Sequence, residues 1–187
     1  MELRSELESD RLLLRQWTES DVSSFVKLNS DPQVMQYFPK ILTEKESAEF
    51  ISIMSAIIQE KGWGFWVLEL KSANKFIGFV GLNTPRTILP FSPCVEVGWR
   101  LHKEYWGNGY ATEAGKLSLA YVFNRLALEE VVSFTTKSNA KSRKVMERLG
   151  MTNTGNNFRY PDLPSEHPLS EHVLYKITKK EWGESGL

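Results

Sequence analysis

Val95-Glu96-Val97-Gly98-Trp99-Arg100-Leu101-His102-Lys103-Glu104-Tyr105-Trp106-Gly107-Asn108-Gly109-Tyr110-Ala111-Thr112-Glu113-Ala114 reads as an apolar strand, a glycine-rich turn and the opening of a helix. Glycine lets the backbone turn tightly and aim several N–H groups at one point. The helix that follows adds its own unpaired N–H groups and the positive end of its dipole. That combination suits a phosphate. Gly107-Asn108-Gly109 alone is also what a plain connecting turn would show. Two common nucleotide patterns are absent. There is no G-x-x-x-x-G-K-[ST], and Thr112 stands where G-x-G-x-x-G needs its third glycine.

Outward from this stretch, the pattern predicts seven strands and four helices. Leu12 to Gln16 is a strand, and Ser20-Asp21 opens a helix that Asp31-Pro32 ends. Thr43 to Glu46 is a capping box before a second helix carrying Phe50, Ile51, Met54, Ile57 and Ile58. Phe65 to Leu70 and Phe76 to Leu82 form a hairpin around Ser72-Ala73-Asn74, and Pro85 to Pro93 is a loop. Val95 to Leu101 is the central strand, and Ala111 to Phe123 is a helix with Ala114, Leu117, Ser118, Tyr121 and Val122 inward. Val131 to Thr136 is a strand, and Ala140 to Leu149 is a helix stopped by Gly150. Thr152 to Phe158 and His172 to Ile177 are the last strands.

The chain resembles the GCN5-related N-acetyltransferase (GNAT) superfamily, nearest to the branch that includes the ribosomal-protein N-terminal acetyltransferases. Four segments carry the likeness. They are Ser9-Asp10-Arg11-Leu12-Leu13-Leu14-Arg15, the quoted strand and turn, Asn139 to Met151, and His172-Val173-Leu174-Tyr175-Lys176-Ile177-Thr178. The resemblance implies one GNAT domain over residues 1–187, of α+β class. It would have a mixed sheet of about seven strands, splayed at a bulged central strand and flanked by about four helices.

The resemblance also implies the reaction and its partners. Acetyl-CoA is the expected cosubstrate, and its acetyl group passes to a primary amine by direct attack. Gly107, Asn108, Gly109, Tyr110 and Ala111 would meet the pyrophosphate through backbone N–H groups, with the Thr112 hydroxyl adding a bond. Trp99, Arg100 and Leu101 would offer a strand edge to the pantetheine amides. Backbone N–H groups near Trp99 or Arg100 suit the oxyanion. Glu96 is the only acid in an otherwise apolar strand. It reads equally as the catalytic base and as a strand carboxylate paired with an arginine. Asn139 caps the last long helix and, by the resemblance, bonds the pantetheine arm. Ser142, on the same helix face, is a candidate to reach the sulfur, or else a surface hydroxyl. Many family members place a tyrosine where Met146 stands; Ser142 or water then remains as general acid. Tyr37, Phe38, Trp63, Trp66, Phe158 and Tyr160 fall where the family builds its acceptor wall; core packing accounts for any one of them equally well. A non-catalytic acyl-CoA-binding module is the alternative, which Met146 favours.

Composition bounds the rest. At 187 residues the chain is long enough for a full core, and 41% hydrophobic with 25% charged residues is ordinary for a globular protein. Zero formal net charge gives no bulk attraction to nucleic acid or anionic membrane. No apolar run approaches the roughly 18 residues of a span. Glu2, Arg4, Glu6 and Glu8 do not make a signal peptide, and Cys94 is the one cysteine. A cytoplasmic monomer or homodimer without metal is expected. His102 follows the central strand and reads as a loop histidine sooner than as one flanking the coenzyme, and His167 and His172 are too scattered for a metal site.

Overall fold

The computed structural model describes residues 6–186; Glu2 and Arg4 lie outside them. The described chain divides into two compact units. One comprises residues 6–82 and Gly98–Ser118, the other Asn83–Val97 and residues 119–186.

In the first unit β1 (Leu7–Glu8), β2 (Leu12–Arg15), β3 (Phe65–Leu70) and β4 (Lys75–Asn83) pair antiparallel in that order. Leu12 lies opposite Leu70 and Phe65 opposite Gly81. Strand alternation sends Leu12 and Leu14 inward. The register slips once, between Leu68 and Glu69. Helices α1 (Val22–Ser30) and α2 (Glu44–Lys61) supply apolar faces through Phe25, Leu28, Ile51, Met54 and Ile58. The expected capping box forms: Glu46 N–H donates to Thr43 Oγ1 at 3.2 Å, and Thr43 N–H to Glu46 Oε2 at 2.8 Å. An aromatic core of edge-to-face and tilted pairs joins Trp17, Phe25, Phe50, Phe76 and Phe79, with Trp17 and Phe25 centroids 4.9 Å apart. The Trp17 indole is anchored by donating to Phe65 O at 2.7 Å.

Strand β5 (Glu96–Leu101) contributes Gly98–Leu101 to the first unit and Glu96–Val97 to the second. Gly78 permits a close approach of β4 to the end of β5. A Cβ there would stand 2.2 Å from Arg100 O, and φ is +151°. His102 N–H donates to Ile77 O at 3.0 Å and closes the pairing.

The second unit is built on β6 (Glu130–Thr136) and β9 (Glu171–Thr178), antiparallel over their whole length from Glu130 opposite Thr178 to Thr136 opposite His172. Glu96 pairs in parallel with Val132, so the sheet is mixed. The expected strand over 152–158 divides into β7 (Thr152–Asn153) and β8 (Phe158–Arg159), each pairing with β9. Asn153 and Thr154 side chains take the N–H groups of Gly155 and Asn156, and so turn the chain between the two strands. This division and the two-residue β1 make nine strands among the described residues, where seven were expected. Helix α3 (Tyr110–Tyr121) ends in a π turn over Val122–Leu126, stopped by a left-handed Ala127. Leu119 is fully buried, as are Ala114, Ser118 and Val122, whereas Leu117 is only half-buried. Helix α4 (Ala140–Arg148) is followed by a fifth helix absent from the sequence expectation, α5 (Lys179–Ser185), opened by a Thr178–Glu181 capping box.

Candidate functional site

The turn after β5 is held from both sides. The Trp106 indole donates to Leu101 O at 2.9 Å, pulling the loop back onto the strand end. Gly107 and Gly109 both take φ +80°, a left-handed conformation that side chains with a Cβ adopt at a cost. A Cβ at Gly107 would meet nothing within 4 Å, so the space before the turn is open. Gly107, Asn108 and Gly109 are exposed, and the first helical bond runs from Glu113 N–H to Gly109 O at 3.0 Å. The amides before it have no acceptor inside the helix.

Arg11 braces this turn from the start of β2. Its Nε donates to Glu113 Oε2 at 2.8 Å, Nη2 to Asn108 O at 3.2 Å, and its guanidinium lies 4.6 Å from the Tyr110 ring centroid. Ser9 Oγ donates to Glu113 Oε1 at 2.6 Å. Burial works to raise the Glu113 carboxyl; Arg11 and Ser9 outweigh it and hold it below the usual range.

At the end of β5, Arg100 points among Asn29, Phe38 and Phe79. Nη1 donates to Asn29 Oδ1 at 2.6 Å, and the guanidinium carbon lies 4.0 and 5.4 Å from the two ring centroids. Nε is buried with no acceptor. Desolvation lowers this guanidinium to about 10.

In the second unit, Glu96 keeps slight solvent exposure, yet its carboxyl is pushed up to about 7 by desolvation. Asn83 Nδ2 donates to Glu96 Oε1 at 2.7 Å and opposes that rise. No arginine pairs with Glu96 among the described residues. Cys94 is pushed up to about 11, by burial first and then by Glu96 and Glu130; a thiol so protonated is a poor nucleophile. Phe91, Phe134, Phe158, Tyr160 and His172 form one aromatic group, with Tyr160 and His172 centroids 5.1 Å apart and Phe91 and Phe158 5.0 Å apart. Burial raises the Tyr160 hydroxyl and lowers His172.

Asn139 caps α4 by accepting from Ser142 N–H at 3.2 Å. Its amide donates to Thr135 Oγ1 at 3.0 Å and to Ser142 Oγ at 3.1 Å. Both amide hydrogens are thus engaged, and the Ser142 hydroxyl keeps its own proton to give. Met146 is 1% exposed and packs in the core.

A family model for an acetyltransferase (GNAT) domain matches residues 11–152. The chain belongs to the GNAT family. It is 33% identical over 164 residues to the FsC-acetyl coenzyme A-N(2)-transacetylase of Aspergillus fumigatus, covering 84% of this chain and 69% of that protein. A GNAT-family acetyltransferase from Bacillus anthracis superposes with a TM-score of 0.77 at 23% identity, over 94% of this chain and 99% of that one. A ribosomal-protein-S5-alanine acetyltransferase from Vibrio fischeri superposes at 0.74 and 20% identity, covering 95% and 98%. Both share the fold.

Within this GNAT chain, the expected wall aromatics belong partly to one unit and partly to the other. Phe158 and Tyr160 stand together in the second unit. In the first, Phe38 covers Arg100, Trp63 lies under Lys61 with 5.3 Å between ammonium and ring centroid, and Tyr37 is half-buried. Trp66 is 0% exposed, on β3. Among the described residues no group of three metal-ligating side chains occurs, and no helix is long and apolar enough to cross a membrane.

Proposed function

We propose that this chain transfers the acetyl group of acetyl-CoA to a primary amine, by direct attack in a ternary complex. The observation that carries the reading is the turn at Gly107 and Gly109. In a member of the GNAT family, both glycines take φ +80° at the head of α3, and a Cβ at Gly107 would meet nothing within 4 Å. The N–H groups of Gly107, Asn108, Gly109, Tyr110 and Ala111 take the pyrophosphate, helped by the Thr112 hydroxyl. The backbone of Trp99, Arg100 and Leu101 takes the pantetheine amides.

Glu96 is the base. A carboxyl pushed up to about 7 is a stronger base than an ordinary carboxylate and still ionises near neutral pH, which suits it to accept a proton from the amine through water as attack proceeds. The amine then attacks the thioester carbon, forming the C–N bond. The oxyanion collapses and breaks the C–S bond, and the thiolate leaves. Ser142 gives its proton to the thiolate and recovers one, through water, from the nitrogen as it sheds its remaining extra proton; Asn139 donates to the hydroxyl oxygen and so leaves the O–H free to donate. For Asn139 to bond the arm as well, one amide hydrogen must leave Thr135 or Ser142, or the arm must donate to Oδ1. Phe158 and Tyr160, with Tyr37, Phe38 and Trp63, receive the acceptor. Trp66, fully buried on β3, is a core ring and not part of the acceptor wall expected from the sequence.

Buried Met146 at the usual proton-donor position favours a second reading, a module that binds acyl-CoA without turnover. Thiol release from acetyl-CoA against peptides, polyamines and aminoglycosides, paired with thermal-shift titration of the coenzyme, separates the two. Release with one amine class establishes transfer. Stabilisation with no release from any amine assigns the binding module. Neither response removes the coenzyme from the assignment.

A further inference from the structure

Arg100 is a half-buried cation whose Nε is closed off from solvent, and no anion among the described residues faces it. Among the described residues it has no carboxylate partner. Its guanidinium donates to the neutral amide of Asn29, which is itself fully buried and donates to Ser47 Oγ at 3.0 Å. Asp31, two residues beyond Asn29, is taken by Lys103 at 3.2 Å. Phe38 covers the guanidinium at 4.0 Å to its centroid, and Phe79 lies 5.4 Å away. The corner at Nε is left with a donor and no acceptor.

A desolvated, unpaired charge is expensive, and a neutral glutamine in this place could make the same bond to Asn29 without that expense. The aromatic faces offset only part of the cost. An arginine also presents a planar fork that matches a carboxylate through two parallel bonds. Phe38, the ring over it, is 38% exposed and sits in the connection between α1 and α2.

We propose that Arg100 is the docking point for a carboxylate on the acceptor, which makes the acceptor a carboxylate-bearing amine; this rests on the acetyl transfer proposed above. The guanidinium fork binds the acid through Nε and a terminal nitrogen, Asn29 holds Nη1, and Phe38 closes over the pair. The backbone of Arg100 remains available to the coenzyme, because the side chain alone is committed to the acceptor.

The test reads the Arg100 Nε–H resonance, assigned by its loss in Arg100→Lys. N-acetyl amino acids of graded length, which mimic the product, are titrated against their matched carboxamides. The expected result is a saturable shift of this resonance with at least one acid and none with its amide. In turnover, amino acids should exceed their amides in kcat/KM by at least about tenfold, the worth of one good charge-assisted pair. In Arg100→Gln, which keeps a donor for Asn29, that preference should collapse toward one through KM. An Arg100 resonance that no acid moves, or that acid and amide move alike, overturns the proposal. So does an acid preference that survives in Arg100→Gln. A saturable shift with acids but no thiol release from any amine would keep the anion site and remove the transfer reading, so the two fail separately.

Discussion

Arg11 Nε donates to Glu113 Oε2 at 2.8 Å, across 102 residues of chain, and ties the start of β2 to the first turn of α3. An acid in that turn favours the helix dipole. It also repels any phosphate arriving at the same turn. Arg11 cancels that repulsion and steadies Asn108 O in the loop.

Arg11→Gln should therefore weaken coenzyme binding, by about three- to tenfold given that the pair is partly exposed and screened. Glu113→Gln added to it should recover part of the loss, because the uncompensated charge is gone. Calorimetric titration of acetyl-CoA at low and high salt checks both points. The single-variant deficit should shrink at high salt. A double variant as weak as Arg11→Gln would leave only the loop-bracing role.

Glu96 sets the expected pH dependence. Its carboxyl titrates near 7 because burial penalises the charge. Activity should rise through that pH and flatten above it, and Glu96→Gln should lose most of kcat with coenzyme affinity kept. Asn83 lowers this carboxyl by donating to it. Asn83→Leu should move the acid limb upward, by about one to two pH units for the loss of a charge-assisted bond worth about 1.5–3 kcal/mol. Stability has the opposite slope. An acid raised in the fold contributes fully below its unfolded value and loses that contribution as pH rises through about 7. Glu96→Gln should thus gain Tm over the parent at pH 8 and little at pH 5. An unmoved limb in Asn83→Leu would detach Glu96 from the pH profile.

Much of this was legible in the chain because it is local. Thr43 and Glu46 are three residues apart, Asn139 and Ser142 likewise, and Gly107-Asn108-Gly109 is contiguous, so spacing alone conveys their geometry. Thr178 and Glu181 carried the same capping signal for α5, masked by the strand pattern running into it. The partners that were not legible are remote. Nothing in Ser9-Asp10-Arg11 announces Glu113, and nothing in the strand Glu96–Leu101 announces Asn83 or Asn29. The aromatics show the same limit. Trp66 and Tyr160 look alike as residue types, and only the register of β3 and the pairing of β8 with β9 separate a core ring from one grouped with His172.

The glycine turn makes a prediction that distinguishes strain from contact. At Gly107 an added Cβ meets no neighbour, so Gly107→Ala costs only the left-handed conformation, about 1–2 kcal/mol. If the loop relaxes to avoid that cost, its amides turn away and coenzyme affinity should fall by about tenfold. Asparagine tolerates this conformation better, so Gly107→Asn should retain more affinity than alanine despite its larger side chain. Thermal-shift titration of the coenzyme ranks them. Equal loss in both variants would mean that bulk before the turn, not backbone conformation, is what matters there.

Asn139 and Ser142 are joined by three roles that separate on substitution. Asn139→Ala removes the cap of α4 and the bonds to Thr135 and Ser142, and should cost about 1–2 kcal/mol of stability. Asn139→Asp keeps an oxygen for the Ser142 N–H, and so keeps the cap, but it has no hydrogen to give to the Ser142 hydroxyl. The hydroxyl then donates to the carboxylate, and its proton is no longer free for the thiolate. Asn139→Asp should accordingly retain Tm and lose kcat. Ser142→Ala should also lose kcat, by about ten- to a hundredfold as a proton donor partly replaced by water, with little change in coenzyme affinity. Adding Ser142→Ala to Asn139→Asp should cost little more, because the aspartate has already withdrawn the proton. Fully additive losses in kcat would place the two residues on separate steps and leave water as the general acid.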